Sequence, residues 1–238
     1  MVTLELAPAT LPPGRRVYAI GDIHGCERQL AALHRAIEAD LAERPVARPL
    51  LLHIGDYLDR GPASAAVLAR LAAGPPFGGI EMVNLRGNHE AMALAVLGGG
   101  DGESASLWLL NGAAATLASW DIDPGSAADS WGPRVPAAQL RFIRGLAMSH
   151  REGGYFFAHA GVRPGVPLAA QDPADLLWIR EPFLSHAGDL GAVVVHGHTP
   201  GHKVVIRPNR IGIDTGAVYG GWLTAVILEA DRMGFLQV

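Results

Sequence analysis

Side chains with carboxylate, imidazole or carboxamide groups follow five short apolar segments of the chain. They are Asp22, His24, Asp56, Asn88, His159 and His198. Carboxylate and carboxamide oxygens and imidazole nitrogens are good ligands for borderline divalent metals such as Mn, Fe or Zn. Six ligands exceed what one tetrahedral ion requires, so the set predicts two ions that share a carboxylate. Asp56, from the middle of the set, is the predicted bridge.

The segments that carry these residues have the length and composition of buried strands. They are 17–20, 50–54, 80–85, 155–158, 193–195, 210–213 and 223–228. Between the early segments, apolar residues recur at helical spacing, as at Leu30, Leu33 and Ile37. This alternation predicts a parallel sheet covered on both faces, and the strand-rich part after Tyr155 predicts a second, mixed or antiparallel sheet. Because strand ends in open α/β sheets meet at one crevice, we expect the six side chains to be neighbours.

The segment between the two strand-rich parts, at about 98–150, has no motif of its own. It begins with "GGGDGES", has a helix-like middle and contains Trp108, Trp120 and Trp131. We expect these tryptophans to lie in the core. The whole chain, 1–238, is predicted to form a single domain in which this segment is a partly helical insertion over one edge.

Composition excludes several classes of partner. The formal charge of −4 and the pI near 6.2, without a block of Lys or Arg, argue against nucleic acid and anionic membranes. Cys26 is the only cysteine, which favours a reducing cytoplasm. The first 16 residues lack the cationic start and apolar core of a secretion signal, and no apolar run approaches the roughly 20 residues that span a bilayer. A cytoplasmic protein is therefore expected.

Two histidines outside the ligand set invite a simpler interpretation. His53 lies within an apolar run and is interpreted as a core histidine with its hydrogen bonds satisfied. His34 belongs to no polar block and is predicted to lie at the surface.

Glu90 follows His89 and is interpreted as an acid at the amino end of a helix, where the helix dipole favours it, and not as a catalyst.

The polar blocks, in order and at these intervals, resemble a known family. They read "GDIHG" at 21–25, "GDYLDRGP" at 55–62, "RGNHE" at 86–90, "HAG" at 159–161 and "HGHTP" at 196–200, with "IDTG" at 213–216. They are similar to those of the calcineurin-like metallophosphoesterases, in particular the phosphoprotein phosphatase branch with its bacterial and phage members. The resemblance implies an α/β fold, a four-layer α/β/β/α sandwich of two mixed sheets with a dimetal site at the carboxyl ends of the strands.

The resemblance also implies a role for each matching residue. Asp22 and His24 would hold the first metal ion, Asp56 would bridge, and the second ion would be completed by Asn88, His159 and His198. The wider superfamily often has a further histidine ligand where this chain has Pro200, as in the phosphoprotein phosphatase branch, so the first ion is expected to be more open to water. The expected cofactor is two divalent ions, with Mn²⁺ preferred and Fe or Zn as the alternatives.

Catalytic and substrate-binding roles follow from the same blocks. His89 would be the general acid for the leaving oxygen and Asp59 would orient it, while Arg60, Arg180 and Asn88 would contact the substrate. Two divalent ions lower the pKa of a bridging water, so the predicted nucleophile is hydroxide in line with the phosphoester. A cysteine nucleophile is disfavoured because the position six residues after Cys26 is Ala32 and not arginine.

Three functions are compatible with these residues. The first is a metal-dependent phosphomonoesterase acting on phosphoserine or phosphothreonine, and possibly phosphotyrosine, in proteins or on small phosphoesters. The second is a dinucleoside polyphosphate hydrolase, whose symmetrical family tends to lack the Asp-Arg pair present here as Asp59 and Arg60. The third is a metal-bound scaffold without turnover, which the presence of every expected ligand and of His89 disfavours. Neither the substrate nor the oligomeric state follows from the sequence.

Overall fold

The structure is a computed structural model that describes residues 3–238. The strands are β1 (Glu5–Leu6), β2 (Arg15–Ile20), β3 (Arg48–His53), β4 (Glu81–Asn84), β5 (Ser149–Glu152), β6 (Tyr155–Ala158), β7 (Val193–His196), β8 (Val205–Arg207), β9 (Arg210–Gly212), β10 (Thr224–Glu229) and β11 (Arg232–Gln237). The α-helices are α1 (Glu27–Glu43), α2 (Ser64–Ala72), α3 (Asn88–Leu97), α4 (Gly102–Leu110), α5 (Ala113–Ser119), α6 (Ala137–Arg144) and α7 (Pro173–Trp178).

Two mixed sheets form the centre of the fold. The first has the strand order β1-β11-β10-β2-β3-β4, in which β2, β3 and β4 pair in parallel and β10 pairs antiparallel with both β2 and β11. The second has the order β5-β6-β7-β9-β8, in which β6, β7 and β9 are parallel. The prediction of two mixed sheets is confirmed. The last predicted strand, however, pairs with β2 in the first sheet and does not join the second.

The two sheets pack face to face. Val17 and Leu50 of the first sheet and Phe157 and Val195 of the second lie in one buried cluster between them. A second cluster joins the other face of the first sheet to helices α1 and α2, and a third joins the outer face of the second sheet to α7. The layers are therefore α/β/β/α, as expected from the resemblance. The first sheet is covered on both faces, as the strand and helix alternation predicts, but the second sheet covers one of these faces, and the predicted parallel sheet is mixed because β10 pairs antiparallel with β2.

Helices α4 to α6 lie in the segment interpreted as an insertion. Asn111 and Gly112 separate α4 from α5, and Gly112 has a positive φ of 101°. Trp108, Trp120 and Trp131 are buried in the same cluster as the apolar face of α1, so their predicted core role is confirmed. The single domain and its insertion stay a prediction.

No helix between residues 3 and 238 is both long enough and apolar enough to cross a membrane.

Candidate metal centre

The polar residues predicted as ligands converge where strands of both sheets end. Asp22 follows β2, Asp56 follows β3 and Asn88 begins α3 after β4, while His159 follows β6 and His198 follows β7. Parallel strands end at one edge of a sheet, and the two facing sheets bring both edges together. All six predicted ligands, including His24 in the loop after β2, are buried. Between 0% and 7% of each residue is exposed.

The loops after these strands have an unusual backbone. Five site residues that are not glycine have positive φ: His24 (44°), Asp56 (52°), Asp59 (71°), Arg60 (68°) and His198 (62°). This left-handed conformation is unfavourable for L residues, and it persists where the surrounding structure enforces it, most often at functional sites. Sharp turns of this kind direct successive side chains into the crevice. Backbone strain has no signature in residue type, so the sequence did not predict it.

Four donor groups of the predicted second ion lie within contact of one another. Asn88 Oδ1 is 2.9 Å from His159 Nε2 and 3.0 Å from His198 Nδ1, and His159 Nε2 is 3.3 Å from Asp56 Oδ1. Ligand atoms of Asp56, His159 and His198 all lie within 4.8 Å of one another. This geometry brings together the set Asp56, Asn88, His159 and His198.

The protonation pattern of His159 shows that this group fits a cation. His159 Nδ1 lies 3.0 Å from the carbonyl oxygen of Ile54, so Nδ1 carries the proton and Nε2 presents a lone pair. That lone pair faces oxygens of Asn88 and Asp56 that are themselves acceptors. Acceptors directed at one another are unfavourable unless a cation lies between them, and an imidazole held by a backbone carbonyl is the usual arrangement of a metal ligand.

The predicted first-ion group is arranged differently. His24 Nδ1 lies 2.6 Å from the carbonyl oxygen of Leu58, which leaves the Nε2 lone pair 3.4 Å from Asp56 Oδ2. A second candidate group contains His24, Asp56 and His89. Within residues 3–238, Asp22 belongs to neither group, and its oxygens accept the backbone N–H of His198 at 3.0 and 3.2 Å.

Burial sets the charge state of these side chains. It lowers the pKa of His24 and of His159 well below the usual range, and, with the charge of Arg180 as the second cause, lowers the pKa of His198 to about 4. Neutral imidazole is the form that binds a metal. Burial also raises the pKa of Asp22 and of Asp56 well above the usual range, and neighbouring carboxylates add to this. Divalent ions would compensate these buried acids.

The predicted acid and its orienting residue are in direct contact. His89 Nδ1 lies 2.6 Å from Asp59 Oδ2, and His89 Nε2 lies 3.8 Å from Asp56 Oδ2. One nitrogen of the ring is therefore held by a carboxylate, and the other faces the candidate centre. Burial raises the pKa of Asp59 to about 7 and lowers the pKa of His89 to about 3, because both charged forms are desolvated.

The two predicted phosphate-binding arginines lie near different predicted histidine ligands. Arg60 Nη1 donates to His24 Nε2 at 2.6 Å, and its guanidinium lies 5.8 Å from the ring centroid of Tyr219. Arg180 is exposed near His198, whose pKa it lowers. His24 Nε2 is also the predicted ligand atom, so an ion there requires Arg60 to release it.

Glu90 was underestimated from the sequence. Its carboxylate accepts four backbone N–H groups: those of Asp56 (2.9 Å), Tyr57 (2.7 Å), Leu58 (3.2 Å) and Gly87 (2.9 Å). It is fully buried and joins the loop that carries Asp56 to the loop that carries Asn88 and His89. A side chain on Gly87 would collide with the carboxylates of Asp56 and Glu90, which explains the glycine there. Its interpretation as an acid at the amino end of a helix accounts only for the bond from Gly87.

Three further residues at the site were not predicted from the sequence. Trp108 Nε1 donates to Asp59 Oδ2 at 2.8 Å, and Thr116 Oγ1 donates to Asp59 Oδ1 at 2.6 Å. Both come from the segment interpreted as an insertion. Asp214, in the "IDTG" block, is buried, accepts the N–H of Gly216 at 3.0 Å and raises the pKa of Asp22. Only the position of Asp214 within a recognised block offered a clue.

The prediction that His34 lies at the surface was wrong. His34 is only 3% exposed, and its Nε2 lies 3.0 Å from Nε2 of His53. His53 Nδ1 lies 2.8 Å from Asn84 Oδ1, so the interpretation of His53 as a satisfied core histidine is confirmed. The pair lies beneath the loop of Asp56, between α1 and the first sheet.

The sequence family described as calcineurin-like phosphoesterase matches residues 15–222. Since this span covers most of the chain, the protein belongs to the calcineurin-like phosphoesterases, a family of hydrolases with a dimetal site. The fold and the candidate ligand groups described above agree with that membership, which confirms the family expected from the polar blocks.

Individual relatives carry more than one activity in their names. The chain is 33% identical over 222 residues to serine/threonine-protein phosphatase 1 of Salmonella typhimurium, covering 90% of this chain and 93% of the relative. It is 27% identical over 189 residues to the symmetrical bis(5'-nucleosyl)-tetraphosphatase of Methylococcus capsulatus, covering 78% and 52%. A crystal structure of a candidate diadenosine tetraphosphatase has a TM-score of 0.68 at 22% identity, covering 96% and 98%, and this likeness supports the fold alone.

Proposed function

We propose that this phosphoesterase removes phosphate from phosphoserine and phosphothreonine, with phosphotyrosine as a further candidate substrate, in cytoplasmic proteins. The observation that carries the proposal is the 2.6 Å contact between Asp59 Oδ2 and His89 Nδ1. The Asp-Arg pair that supplies Asp59 is the feature that the symmetrical tetraphosphatases tend to lack. The 33% identity to a serine/threonine-protein phosphatase over 90% of this chain supports the same choice.

The proposed metal ligands are those of the sequence blocks. Asp22 and His24 would hold the first ion, Asp56 would bridge, and Asn88, His159 and His198 would hold the second, with Mn²⁺ as the preferred metal. When bound, the two ions would supply the positive charge that activates a water molecule and neutralises the phosphoryl oxygens. The lone pair of His159 Nε2, directed at two acceptor oxygens, supports the second of these positions most strongly.

The chain's own residues would complete the reaction. His89 would donate a proton from Nε2 to the ester oxygen as the bond from that oxygen to phosphorus breaks, while its Nδ1 takes up the proton held by the buried Asp59 carboxyl, so that an alcohol leaves and water supplies the new oxygen on phosphorus. Asp59 would keep its bond to Nδ1 and so hold the ring in orientation. Arg60 and Arg180 would grip the non-bridging phosphate oxygens through planar guanidinium groups, which stabilise charge without a change in protonation.

The alternative is hydrolysis of dinucleoside polyphosphates. It is supported by the similarity to the symmetrical bis(5'-nucleosyl)-tetraphosphatase of Methylococcus capsulatus. The same ligands and arginines would serve that reaction, because it also breaks a bond between phosphorus and oxygen. The two proposals therefore differ in the part of the substrate that lies outside the metal centre, which is protein in the first and a nucleotide in the second.

A direct comparison of substrates tests the proposal. We would measure kcat/KM for a phosphothreonine peptide and for diadenosine tetraphosphate with one Mn²⁺-loaded preparation. We expect the phosphopeptide to have the larger value. A large preference for the dinucleotide would replace the first proposal with the alternative, and the Asp59→Asn variant would serve as the slow control for both substrates.

A further inference from the structure

Two arginines face each other at the tip of the hairpin formed by β8 and β9. Arg207 and Arg210 are directly paired in the antiparallel register, and Pro208 and Asn209 form the turn between them. Directly opposite residues lie on one face of a sheet with Cβ atoms about 4.5–5.5 Å apart, where like charges destabilise the pair. The neighbouring Ile211 points into the core between the sheets, so both arginines lie on the outer face of the second sheet.

Arg210 is an unusual cation because it is nearly buried. Only 8% of the residue is exposed, and among residues 3–238 no carboxylate lies within 4.0 Å of its guanidinium. Its Nη2 donates to the carbonyl oxygen of Leu184 at 2.8 Å, whereas its Nε has no partner. A buried charge without a counterion is costly unless a ligand supplies one.

The charged groups around Arg210 do not supply the missing counterion. Burial, and then the charge of Arg207, lower the pKa of Arg210, and Glu181 is the acid that opposes them. Glu181 is exposed and its carboxylate accepts a hydrogen bond from the Ser185 hydroxyl at 2.5 Å. Glu181 therefore contacts Ser185 and forms no direct ion pair with Arg210.

A cavity of about 400 Å³ lies between this hairpin and the loop 184–187. Arg207, Arg210, Ser185 and His186 line it, and none of its lining residues in the described chain is acidic. Asn209 Nδ2 donates to the carbonyl oxygens of His186 (2.9 Å) and of Gly188, which holds the loop against the hairpin. The cavity is thus formed by the folded chain itself, and hydroxyl, imidazole and guanidinium donors surround it.

We propose that this cavity is an oxyanion site, separate from the metal centre, which binds the phosphate or carboxylate group of a small ligand between Arg207 and Arg210. One oxyanion shared by two guanidinium groups relieves their repulsion and supplies the counterion that Arg210 lacks. The volume exceeds that of a bare phosphate, which leaves space for an organic group attached to the anion. This site is independent of the substrate proposed for the metal centre.

The test compares anion-dependent thermal unfolding of four proteins loaded with Mn²⁺. These are the parent, Arg207→Gln, Arg210→Gln and the control Arg163→Gln, whose exposed side chain is paired with Asp175. Sulfate and succinate serve as the phosphate-like and carboxylate probes, with sodium chloride at matched ionic strength as the reference. A ligand that binds only the folded state raises the unfolding midpoint by mass action.

We expect at least one probe to raise the midpoint of the parent and of Arg163→Gln by about 2–4 °C more than that of Arg207→Gln. Sulfate acting alone would identify phosphate-type ligands, and succinate acting alone would identify carboxylates. Arg207 is exposed, so its replacement is expected to leave folding intact even where Arg210→Gln does not.

Equal shifts in the parent and Arg207→Gln with both probes would overturn the oxyanion site. Inhibition of p-nitrophenyl phosphate hydrolysis by sulfate reports on the metal centre, and we expect Arg207→Gln to leave that inhibition constant unchanged. Loss of the shift with unchanged inhibition would thus support the second site whatever the natural substrate of the first.

Discussion

Asp59 and His89, which are 30 residues apart in sequence, form a 2.6 Å contact between a carboxylate oxygen and an imidazole nitrogen beside the candidate metal centre. Four segments meet there, because Asp59 follows β3, His89 lies in α3, and Trp108 and Thr116 bind the same carboxylate from α4 and α5. The contact fixes the ring of His89 so that Nε2 faces Asp56. The predicted acid is therefore oriented by residues from three parts of the chain.

Replacement of His89 tests its role as the acid. We expect His89→Asn to lower kcat by about 10²–10⁴-fold, because loss of a positioned proton donor typically costs that much. The variant should still bind two divalent ions per chain in isothermal titration calorimetry. Loss of one ion would instead identify His89 as a ligand, which its place in a group with His24 and Asp56 makes the specific competing outcome.

Replacement of Trp108 tests whether the segment 98–150 supports catalysis. Trp108→Phe keeps most of the buried ring but removes the N–H that binds Asp59, so we expect kcat to fall about tenfold, the effect of one hydrogen bond to a charged group. Trp131→Phe is the matched control, because Trp131 is equally buried and donates to Ser126 Oγ. Equal kcat values for the two variants would contradict a role for Trp108 at the site.

Replacement of Glu90 tests its role in joining two ligand loops. In Glu90→Gln an NH₂ group replaces one acceptor and faces backbone N–H donors, so we expect a loss of about 1–3 kcal/mol in the free energy of unfolding. We also expect weaker Mn²⁺ binding, because the N–H of Asp56 loses its partner. Glu38→Gln, on the exposed face of α1, should change neither quantity. Unchanged metal affinity in Glu90→Gln would restrict Glu90 to a structural role.

The buried pair His34 and His53 predicts acid sensitivity. Burial lowers the pKa of His34 to about 4, with Arg70 as the second cause and Glu27 opposing, whereas the unfolded value is about 6.5. Between these values the unfolded chain binds more protons, so the stabilisation from neutral His34 is complete above pH 6.5 and is lost as the pH falls toward 4.

Chemical denaturation between pH 4 and 7 would measure this effect. We expect His34→Gln to lower the slope of unfolding free energy against pH by up to about 1.4 kcal/mol per unit, the value for one proton. His202→Gln, at an exposed position, should keep the slope of the parent. A parent slope retained in His34→Gln would show that other groups cause the acid sensitivity.

The sequence predicted most of what depends on residue type and local pattern. Asp56, His159 and His198 were named from their places after apolar strands, and the structure brings them within 4.8 Å of one another. The sequence did not predict contacts that depend on how separate parts of the chain pack together. Examples are the hydrogen bond from Trp108 to Asp59 and the four backbone N–H groups that donate to Glu90. The positive φ values of His24 and its neighbours in the site were equally invisible, because any residue type can be forced into that conformation by its surroundings.

The pairing of β10 with β2, and of β11 with β10, was also missed, for a different reason. Both strands come last in the sequence, and an apolar run such as Ala225–Leu228 indicates a buried strand without naming its neighbour. The surface prediction for His34 failed as well, because it rested only on His34 belonging to no polar block. Burial of a histidine requires a partner, and His53 lies 19 residues away.

Metal removal and restoration test the central claim most directly. The protein would be freed of metal with a chelator, and hydrolysis of p-nitrophenyl phosphate would be followed as Mn²⁺ is returned, for the parent and for Asp56→Asn. We predict no turnover without metal, recovery in the parent with two ions per chain, and no recovery in Asp56→Asn. Full activity in the chelated parent, or none with any divalent metal, would contradict the account.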